Sequence, residues 1–310
     1  MDLTINSLLK RIEILENKIK LLLDINNYIN ELKNNGYVII PNLLSKSEIN
    51  YAKERFYEWK NSINNIDSIH NKINPHGIFK FHEIGHQEHA WYIRTRPQIL
   101  KIFKQLWNTN NLVSSFDGCC YIPKNCNKKD KIWTHTDQAL NSIGLKCYQS
   151  FISLTNNEKR TLIVYEKSHL LHQKYFEEKK INHSKNWNLI DECYLDKIKE
   201  SKKILKVNEG DLVIWDSRTF HQNCYGNCNE ERLVQYLCYL PKNSNENSIN
   251  QQNKRLKYFN EKRTTSHWPY PLKVNSLQPQ NYGDKTLVID YTNLKPPNLY
   301  NYNETIKTLI

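Results

Sequence analysis

The segment Trp133-Thr134-His135-Thr136-Asp137 carries two side chains that could bind a metal ion. It ends a predicted strand over residues 131–135, and residues two apart on a strand project from the same face. His135 and Asp137 can therefore face one pocket. The spacing predicts two ligands of a metal site whose third ligand comes from elsewhere in the chain.

A second segment, from Gly210 to His221, predicts a tight turn, a buried strand, another turn and a histidine on the next strand. Arg232 follows eleven residues later and opens an apolar strand. Two histidines and one carboxylate on strands form the facial triad of non-haem iron(II) oxygenases, which leaves three metal positions for other ligands. Two of these can chelate an α-keto acid and the third can bind dioxygen. A buried arginine on the strand after the second histidine can pair with the far carboxylate of the keto acid.

Over residues 36–241 the sequence resembles the phytanoyl-CoA dioxygenase-like branch of the iron(II)- and 2-oxoglutarate-dependent oxygenases. The resemblance rests on the order and spacing of "GYVIIPNLLSKSEI", "RPQILKIFKQLW", "HTD" and "GDLVIWDSRTFHQN…ERLVQYL". It implies a mainly β fold with peripheral helices and a double-stranded β-helix (jelly-roll, cupin-like) core. It further implies Fe(II) held by His135, Asp137 and His221, with Arg232 on the distal carboxylate of 2-oxoglutarate. The expected reaction uses O2 to hydroxylate a substrate, with release of succinate and CO2.

The same resemblance places three further residues near the co-substrate. Lys80 lies where the family often has a basic contact, and Phe151 and Asn223 fall near pocket positions. The family's "NGPL…PGSH" stretch is replaced here by residues 159–169, which lack its glycine and proline residues. The substrate therefore stays open between a small molecule, a lipid thioester, a nucleotide and a protein side chain, and a CoA ester is the least supported choice.

A competing motif, His82-Glu83-Ile84-Gly85-His86, matches the HExxH string of zinc metallopeptidases. In those enzymes both histidines bind zinc from one face of a helix. Here Gly85 interrupts that helix and the preceding residues alternate like a strand. A different interpretation places four residues in a substrate cleft facing an anionic group: His82, His86, Arg94 and Arg96. A third class of function is a jelly-roll that has lost catalysis and acts as a binding module.

Residues 1–33 are predicted to form one helix, an N-terminal helical arm. Its apolar positions follow a heptad spacing at Ile5, Leu8, Ile12, Leu15, Ile19, Leu22, Asn26 and Ile29. Ile alternating with Leu, plus one Asn, favours a two-stranded parallel coiled coil and thus a homodimer. The alternative is an amphipathic helix folded back on its own domain.

The remaining elements divide the chain into an oxygenase domain, residues 34–241, and a C-terminal linker and wrapping tail, residues 242–310. Ser45 and Glu48 form a predicted capping box that opens a helix reaching about residue 63. Residues 61–77 are predicted as turns, residues 98–107 as a helix, and residues 168–201 as a helical insertion between short strands. Many short strands with little helix between them favour an antiparallel sandwich or barrel.

Composition narrows the possible partners. The chain has 310 residues and a formal net charge of +12, but its lysines are spread from end to end, so nucleic acid is an improbable partner. The basic and aromatic segment 263–271 is expected to be a lid or packing segment near the barrel mouth. No membrane span or signal peptide is recognisable, so a cytoplasmic protein with reduced cysteines is expected.

Overall fold

The computed structural model describes residues 24–73, 76–139, 142–181, 184–281 and 283–310. Its strands are β1 (Tyr37–Ile40), β2 (Ile78–Phe79), β3 (Leu112–Ser114), β4 (Cys119–Ile122), β5 (His135–Thr136), β6 (Tyr148–Ser153), β7 (Leu162–Tyr165), β8 (Asn188–Leu189), β9 (Lys202–Ile204), β10 (Leu212–Asp216), β11 (His221–Asn223) and β12 (Arg232–Pro241). Its helices are α1 (24–35), α2 (Lys46–Asn61), α3 (Ile66–Ile73), α4 (Glu88–Arg94), α5 (Pro97–Leu106), α6 (His172–Lys179), α7 (Glu192–Lys197), α8 (Ile249–Asn260) and α9 (Asn303–Leu309). None of these helices has the length and apolar character that crossing a membrane requires.

The strands form two antiparallel sheets. The seven-stranded sheet has the order β1-β10-β6-β12-β4-β2, with β3 also paired to β12, and the five-stranded sheet has the order β8-β5-β11-β7-β9. Every pairing in both sheets is antiparallel. Within the described ranges the two sheets do not join into a closed barrel. The prediction of a mainly β, antiparallel fold with peripheral helices is confirmed.

Side chains alternate between the two faces of each strand, so every second residue points into the interior between the two sheets. On β12, Val234 and Tyr236 face this interior, while Leu233 packs in the cluster on the other side. Leu162 and Val164 of β7 belong to the same inter-sheet cluster as Val234 and Tyr236. The two sheets therefore share one apolar interior, as in a sandwich.

Helices cover both outer faces. α1, α2 and α5 contribute Leu32, Phe56 and Phe103 to the cluster on the outer side of the seven-stranded sheet, and α9 adds Ile306. α6 and α7 cover the five-stranded sheet in a separate cluster that includes Phe176. The helices leave the inter-sheet interior to the strands.

The described end of the N-terminal arm packs on its own domain. In α1, Ile25 and Leu32 are buried in the same cluster as Val38 and Ile40 of β1, while the seam residue Asn26 is exposed. For residues 24–35 the arrangement is thus that of an amphipathic helix folded back on its domain. The heptad positions from Ile5 to Leu22 lie outside the described residues, and the divisions of the chain at residues 33 and 241 stay predictions.

Two local predictions have different outcomes. The capping box is confirmed, because the Ser45 side chain accepts from the Glu48 backbone and the Glu48 side chain accepts from the Ser45 backbone. The prediction of turns over residues 61–77 is wrong, because α3 forms there and buries Ile66. Ser68 and Lys72 lie on the exposed side of this short amphipathic helix. The described part of the predicted helical insertion, residues 168–201, holds two short α-helices, two 3₁₀ turns and β8.

We predict that Gly36→Ala destabilises the fold more than Gly144→Ala. Both glycines have a left-handed φ, +82° and +75°, which costs an alanine about 1–2 kcal/mol. At Gly36 an added Cβ would also lie 2.4 Å from Nδ1 of His169, whereas at Gly144 nothing lies within 4 Å. Overpacking should therefore lower the free energy of unfolding of Gly36→Ala by about 1–3 kcal/mol more, as measured by urea denaturation. Equal losses in the two variants would show that His169 does not constrain the side chain at position 36.

Candidate metal centre

The pairing of β5 with β11 places two of the predicted ligands side by side. His135 lies directly opposite His221 in this antiparallel pair. On its other side His221 is opposite Val164, whose side chain belongs to the inter-sheet cluster. Both histidines therefore face the interior between the sheets, and Asp137 follows two residues after His135.

The predicted strand over residues 131–135 is shorter than expected. β5 covers only two residues, because the residues before it form hydrogen bonds with a side chain of β11 instead of with its backbone. That side chain belongs to Gln222. Its Oε1 accepts from the Trp133 backbone N–H at 3.1 Å and from the Thr134 hydroxyl at 2.7 Å. This side-chain contact holds the segment in place up to His135.

The three side chains form a compact cluster. Nε2 of His135 lies 3.7 Å from Oδ1 of Asp137, and Nε2 of His221 lies 3.4 Å from Oδ2. One ligand atom from each residue lies within 4.8 Å of the other two. Among the described residues this is the one group of three or more such side chains close enough to hold a metal ion.

Hydrogen bonds orient all three side chains. Nδ1 of His135 donates to the Trp133 carbonyl at 3.1 Å, and Nδ1 of His221 donates to the Thr219 carbonyl at 2.9 Å. Both Nε2 atoms are thereby left as ligand atoms. Nε2 of Gln149 donates to Oδ2 of Asp137 at 2.9 Å. Such outer contacts fix the tautomer and direction of metal ligands.

The protonation states suit metal binding. Burial, together with the neighbouring His221, lowers the pKa of His135 to about 3. Burial raises the pKa of Asp137, but His135 and His221 lower it by more, so the net shift is downward from 3.8. A neutral imidazole and an ionised carboxylate are the forms that bind metals.

A cavity of about 270 Å³ opens onto this cluster. Aromatic rings form much of its wall, and the other lining residues are mostly polar or charged. Its lining includes Lys80, Asp117, Trp133, Trp187, Trp215, Asn223, Tyr236, His267, Trp268 and Lys273. The cavity is slightly smaller than the range of about 300–1,000 Å³ that is common for small-molecule sites.

Arg232 begins β12 and faces the inter-sheet interior, in phase with Val234. Its side chain is 1% exposed, and neither terminal nitrogen has a hydrogen-bond acceptor among the described residues. Its guanidinium carbon lies 5.5 Å from the centre of the Phe151 ring. A buried guanidinium without an acceptor is costly, and both terminal nitrogens could donate to a ligand oxygen.

The other predicted co-substrate residues occupy different positions. Lys80 and Asn223 line the cavity, whereas Phe151 lies behind it beside Arg232. Nδ2 of Asn223 donates to the Tyr236 hydroxyl at 3.0 Å. The Lys80 ammonium makes no ion pair or hydrogen bond with the parts of the chain that the structure describes.

The prediction of a zinc peptidase site at His82 and His86 is wrong. His82 and Glu83 have φ values of 57° and 55°, and only a short 3₁₀ turn, Ile84–His86, follows. The two histidines therefore do not share a face of an α-helix. Nε2 of His86 instead contacts the Arg263 carbonyl at 3.0 Å.

The cleft role of His82, His86, Arg94 and Arg96 is also wrong, since none of them lines the cavity. Arg94 is fully buried and donates to the Gly85 and Asp117 carbonyls at 2.6 and 2.7 Å. Arg96 lies over the Tyr92 ring, 4.0 Å from its centre. These cations stabilise the backbone and the surface rather than a substrate.

Sequence reasoning missed Gln149, Asp117 and His267. Gln149 and Asp117 sit in apolar or small-residue surroundings with no motif around them. His267 belongs to the basic and aromatic segment 263–271, which was expected near the barrel mouth. In the structure, residues from 265 to 275 form one wall of the cavity.

We predict that Gln149→Leu weakens divalent metal binding about 10- to 100-fold, because Asp137 loses the amide that orients it. Leucine has a similar volume, and Oε1 of Gln149 has no partner to lose among the described residues. The measurement is a titration with Co(II) followed by its absorption. Gln173→Leu on the exposed face of α6 is the matched control and should bind Co(II) as the wild type does. Equal affinities in the two variants would show that Gln149 does not support the site.

Comparison with known proteins gives one curated relative and several solved structures. The chain is 27% identical over 235 residues to Ava biosynthesis cluster protein O of Aspergillus versicolor, covering 68% of this chain and 76% of that one. No family model matches the sequence.

Two solved structures are similar in fold. One is HygX from Streptomyces hygroscopicus with nickel and 2-oxoglutarate bound, with a TM-score of 0.50 and 12% identity over 70% of this chain and 87% of that one. The other is the non-heme monooxygenase ThoJ, with a TM-score of 0.50 and 15% identity over 70% of this chain and 78% of that one. At these identities the likeness shows that the chain shares the fold of these two proteins.

Proposed function

We propose that this protein is an Fe(II)- and 2-oxoglutarate-dependent oxygenase that hydroxylates a small molecule. The observation that carries the proposal is the buried cluster of His135, Asp137 and His221 beside a cavity. Two histidines and one carboxylate with open positions are typical of non-haem Fe(II) oxygenases. Iron with 2-oxoglutarate and O2 supplies an oxidation that yields succinate, CO2 and a hydroxylated substrate.

The residues around the cluster fit the proposed metal. The Nε2 atoms of His135 and His221 and the carboxylate of Asp137 are the ligands, and the backbone carbonyls and Gln149 hold them in place. Aromatic rings limit the access of water, since Trp133 stacks on His135 at 4.8 Å and Trp187 lies 5.5 Å from it. The chain's own task is to hold these groups and keep competing reactions out.

Arg232 is the proposed anchor for the distal carboxylate of 2-oxoglutarate. Its two terminal nitrogens lack acceptors within the described ranges, and a carboxylate can accept from both in a bidentate pair. Phe151 packs against the guanidinium and keeps it from turning away. Asn223 and Lys80 are proposed to contact the same co-substrate from the cavity wall.

Several finer assignments rest on this proposal. We assign the two-sheet core to the double-stranded β-helix type and the chain to the phytanoyl-CoA dioxygenase-like branch. The nickel and 2-oxoglutarate in HygX, and the non-heme monooxygenase description of ThoJ, support the choice of cofactors. A cavity of about 270 Å³ favours a small molecule over a folded protein as substrate.

The competing function is a binding module of the same fold without catalysis. The complete set of His135, Asp137, His221 and Arg232, with the outer hydrogen bonds of the metal ligands in place, favours the enzyme. The two functions differ in turnover, because a binding module would bind metal or 2-oxoglutarate without consuming O2.

We predict O2-dependent formation of succinate from 2-oxoglutarate with Fe(II) and ascorbate, measured by mass spectrometry. His135→Ala should abolish it, because the metal loses a ligand. His82→Ala is the matched control: His82 is buried but lies outside the cavity, so succinate formation should persist. Metal and 2-oxoglutarate binding without any succinate would favour the binding module and contradict the proposal.

We predict that Arg232→Gln weakens 2-oxoglutarate binding about tenfold or more while Fe(II) affinity stays unchanged. The lost interaction is a charged, bidentate contact remote from the metal ligands. Anaerobic calorimetry with the Fe(II)-loaded protein measures both affinities. Arg55→Gln on α2, where Arg55 pairs with exposed Glu58, is the control. Unchanged 2-oxoglutarate affinity in Arg232→Gln would remove the anchor from the proposal.

A further inference from the structure

The C-terminal segment 265–275, here called the wall segment, forms one side of the cavity and is tied to the sandwich. The Phe116 backbone N–H donates to the Thr265 hydroxyl at 2.9 Å, and the Thr265 N–H donates to the Phe116 carbonyl at 2.9 Å. A bridge between Thr265 and Val274 closes the segment on itself. These contacts place the side chains of the wall segment at a defined position rather than on a loose tail.

His267 is a polar side chain of this segment that contacts two neighbours at the cavity. Its Nδ1 donates to Oδ2 of Asp117 at 2.8 Å, and its ring meets the Tyr236 ring edge-on at 5.0 Å. Nδ1 is thus occupied, so Nε2 is the ring nitrogen available to a molecule in the cavity. Nε2 makes no hydrogen bond with any residue that the structure describes.

Asp117 makes this histidine a donor. Its side chain is 1% exposed, its Oδ1 has no partner among the described residues, and its Oδ2 contacts only His267. Buried Arg94 donates to the Asp117 backbone carbonyl and not to its carboxylate. A buried carboxylate with a single side-chain partner favours the protonated form of that partner.

The pKa of His267 agrees with this geometry. Burial and the charge of Lys80 lower the pKa, but the hydrogen bond and charge of Asp117, together with the charge of Asp137, raise it by more, and the net shift is upward from 6.5. Protonated His267 has an N–H at Nε2 as well, which needs an oxygen acceptor.

Like protonated His267, the rest of the cavity lining favours an anionic ligand. Among the described residues of its lining, Asp117 is the one carboxylate besides the metal ligand Asp137, and His267 already contacts it. Lys80 is assigned to the co-substrate, which leaves Lys273, without an acidic partner in the described ranges, as a further cation for the substrate. Trp187 and Trp268 add apolar ring faces to the same lining.

We propose that His267, positioned by Asp117, binds the carboxylate of the substrate, and that the substrate is a small organic acid with a flat, apolar portion. This inference rests on the proposed function for its place beside the metal centre. The carboxylate accepts from Nε2 of His267, and the apolar portion contacts the tryptophan rings. The anionic preference expected from the sequence is thereby assigned to His267 instead of His82, His86, Arg94 and Arg96.

The test compares binding of benzoate with binding of its neutral analogue benzamide. Both are titrated into the Fe(II)-loaded protein with saturating 2-oxoglutarate under nitrogen, and the tryptophan fluorescence of the cavity reports binding. Benzoate should bind wild type roughly tenfold more tightly than benzamide, and His267→Gln should remove that preference. Asp117→Asn should reduce it, because the imidazolium loses its partner. His82→Gln, a histidine outside the cavity, should leave it unchanged.

Arg232→Gln separates the two carboxylate sites. It should keep the benzoate preference, because 2-oxoglutarate and not the substrate contacts Arg232. Loss of the preference in Arg232→Gln but not in His267→Gln would place benzoate in the co-substrate site and overturn the inference. Equal binding of benzoate and benzamide by wild type would also overturn it.

The fluorescence readout does not depend on turnover. A His267-dependent preference for benzoate without succinate formation would support the inference and contradict the proposed function. Succinate formation without a His267-dependent preference would support the proposed function and contradict the inference. Far-UV circular dichroism and the melting temperature establish that His267→Gln is folded. His267→Asn serves as the second variant if glutamine is not tolerated.

Discussion

The pairing of β5 with β11 is the contact on which the rest of the site depends. It places His135 opposite His221, and His221 lies in turn opposite Val164 of β7, which belongs to the apolar cluster between the sheets. Asp137 can join them only because the chain continues past β5 within reach of Gln149. A slip of one residue would send both histidines to the outer face.

Burying polar groups in an apolar interior costs free energy unless they form hydrogen bonds. Some of the buried polar groups have such partners and others do not. The metal-cluster side chains have their outer hydrogen bonds, and buried Arg94 has two carbonyl acceptors. The terminal nitrogens of Arg232 and Oδ1 of Asp117 lack partners within the described residues. Asp117 lines the cavity, and Arg232 lies next to it beside Phe151. At Arg232 and Asp117 a ligand in the cavity could supply the missing partners, whereas buried nitrogens without partners at His70 and His89 lie outside the cavity lining.

Much of the site was predictable because strand periodicity is a local property. Arg232 faces inward for the same reason as Val234 and Tyr236, and His221 shares a face with Asn223. The HExxH string was misleading because a sequence motif does not specify backbone angles. The positive φ of His82 and Glu83 arises from the turn into α4. α3 escaped prediction because the Asn, Asp and Ser residues in and around it are typical of turns, although Ile66, Ile69 and Ile73 have helical spacing.

By itself the sequence determined which residues along each strand could be ligands, where α2 begins, and that the fold is mainly antiparallel β. Those features depend on neighbours within a few residues. Tertiary structure alone decided that His267 reaches Asp117 across 150 residues of sequence. It also decided that Arg94 supports backbone carbonyls rather than a substrate. Contacts at such separations depend on how the sheets and the C-terminal segment pack, and no local pattern encodes that packing.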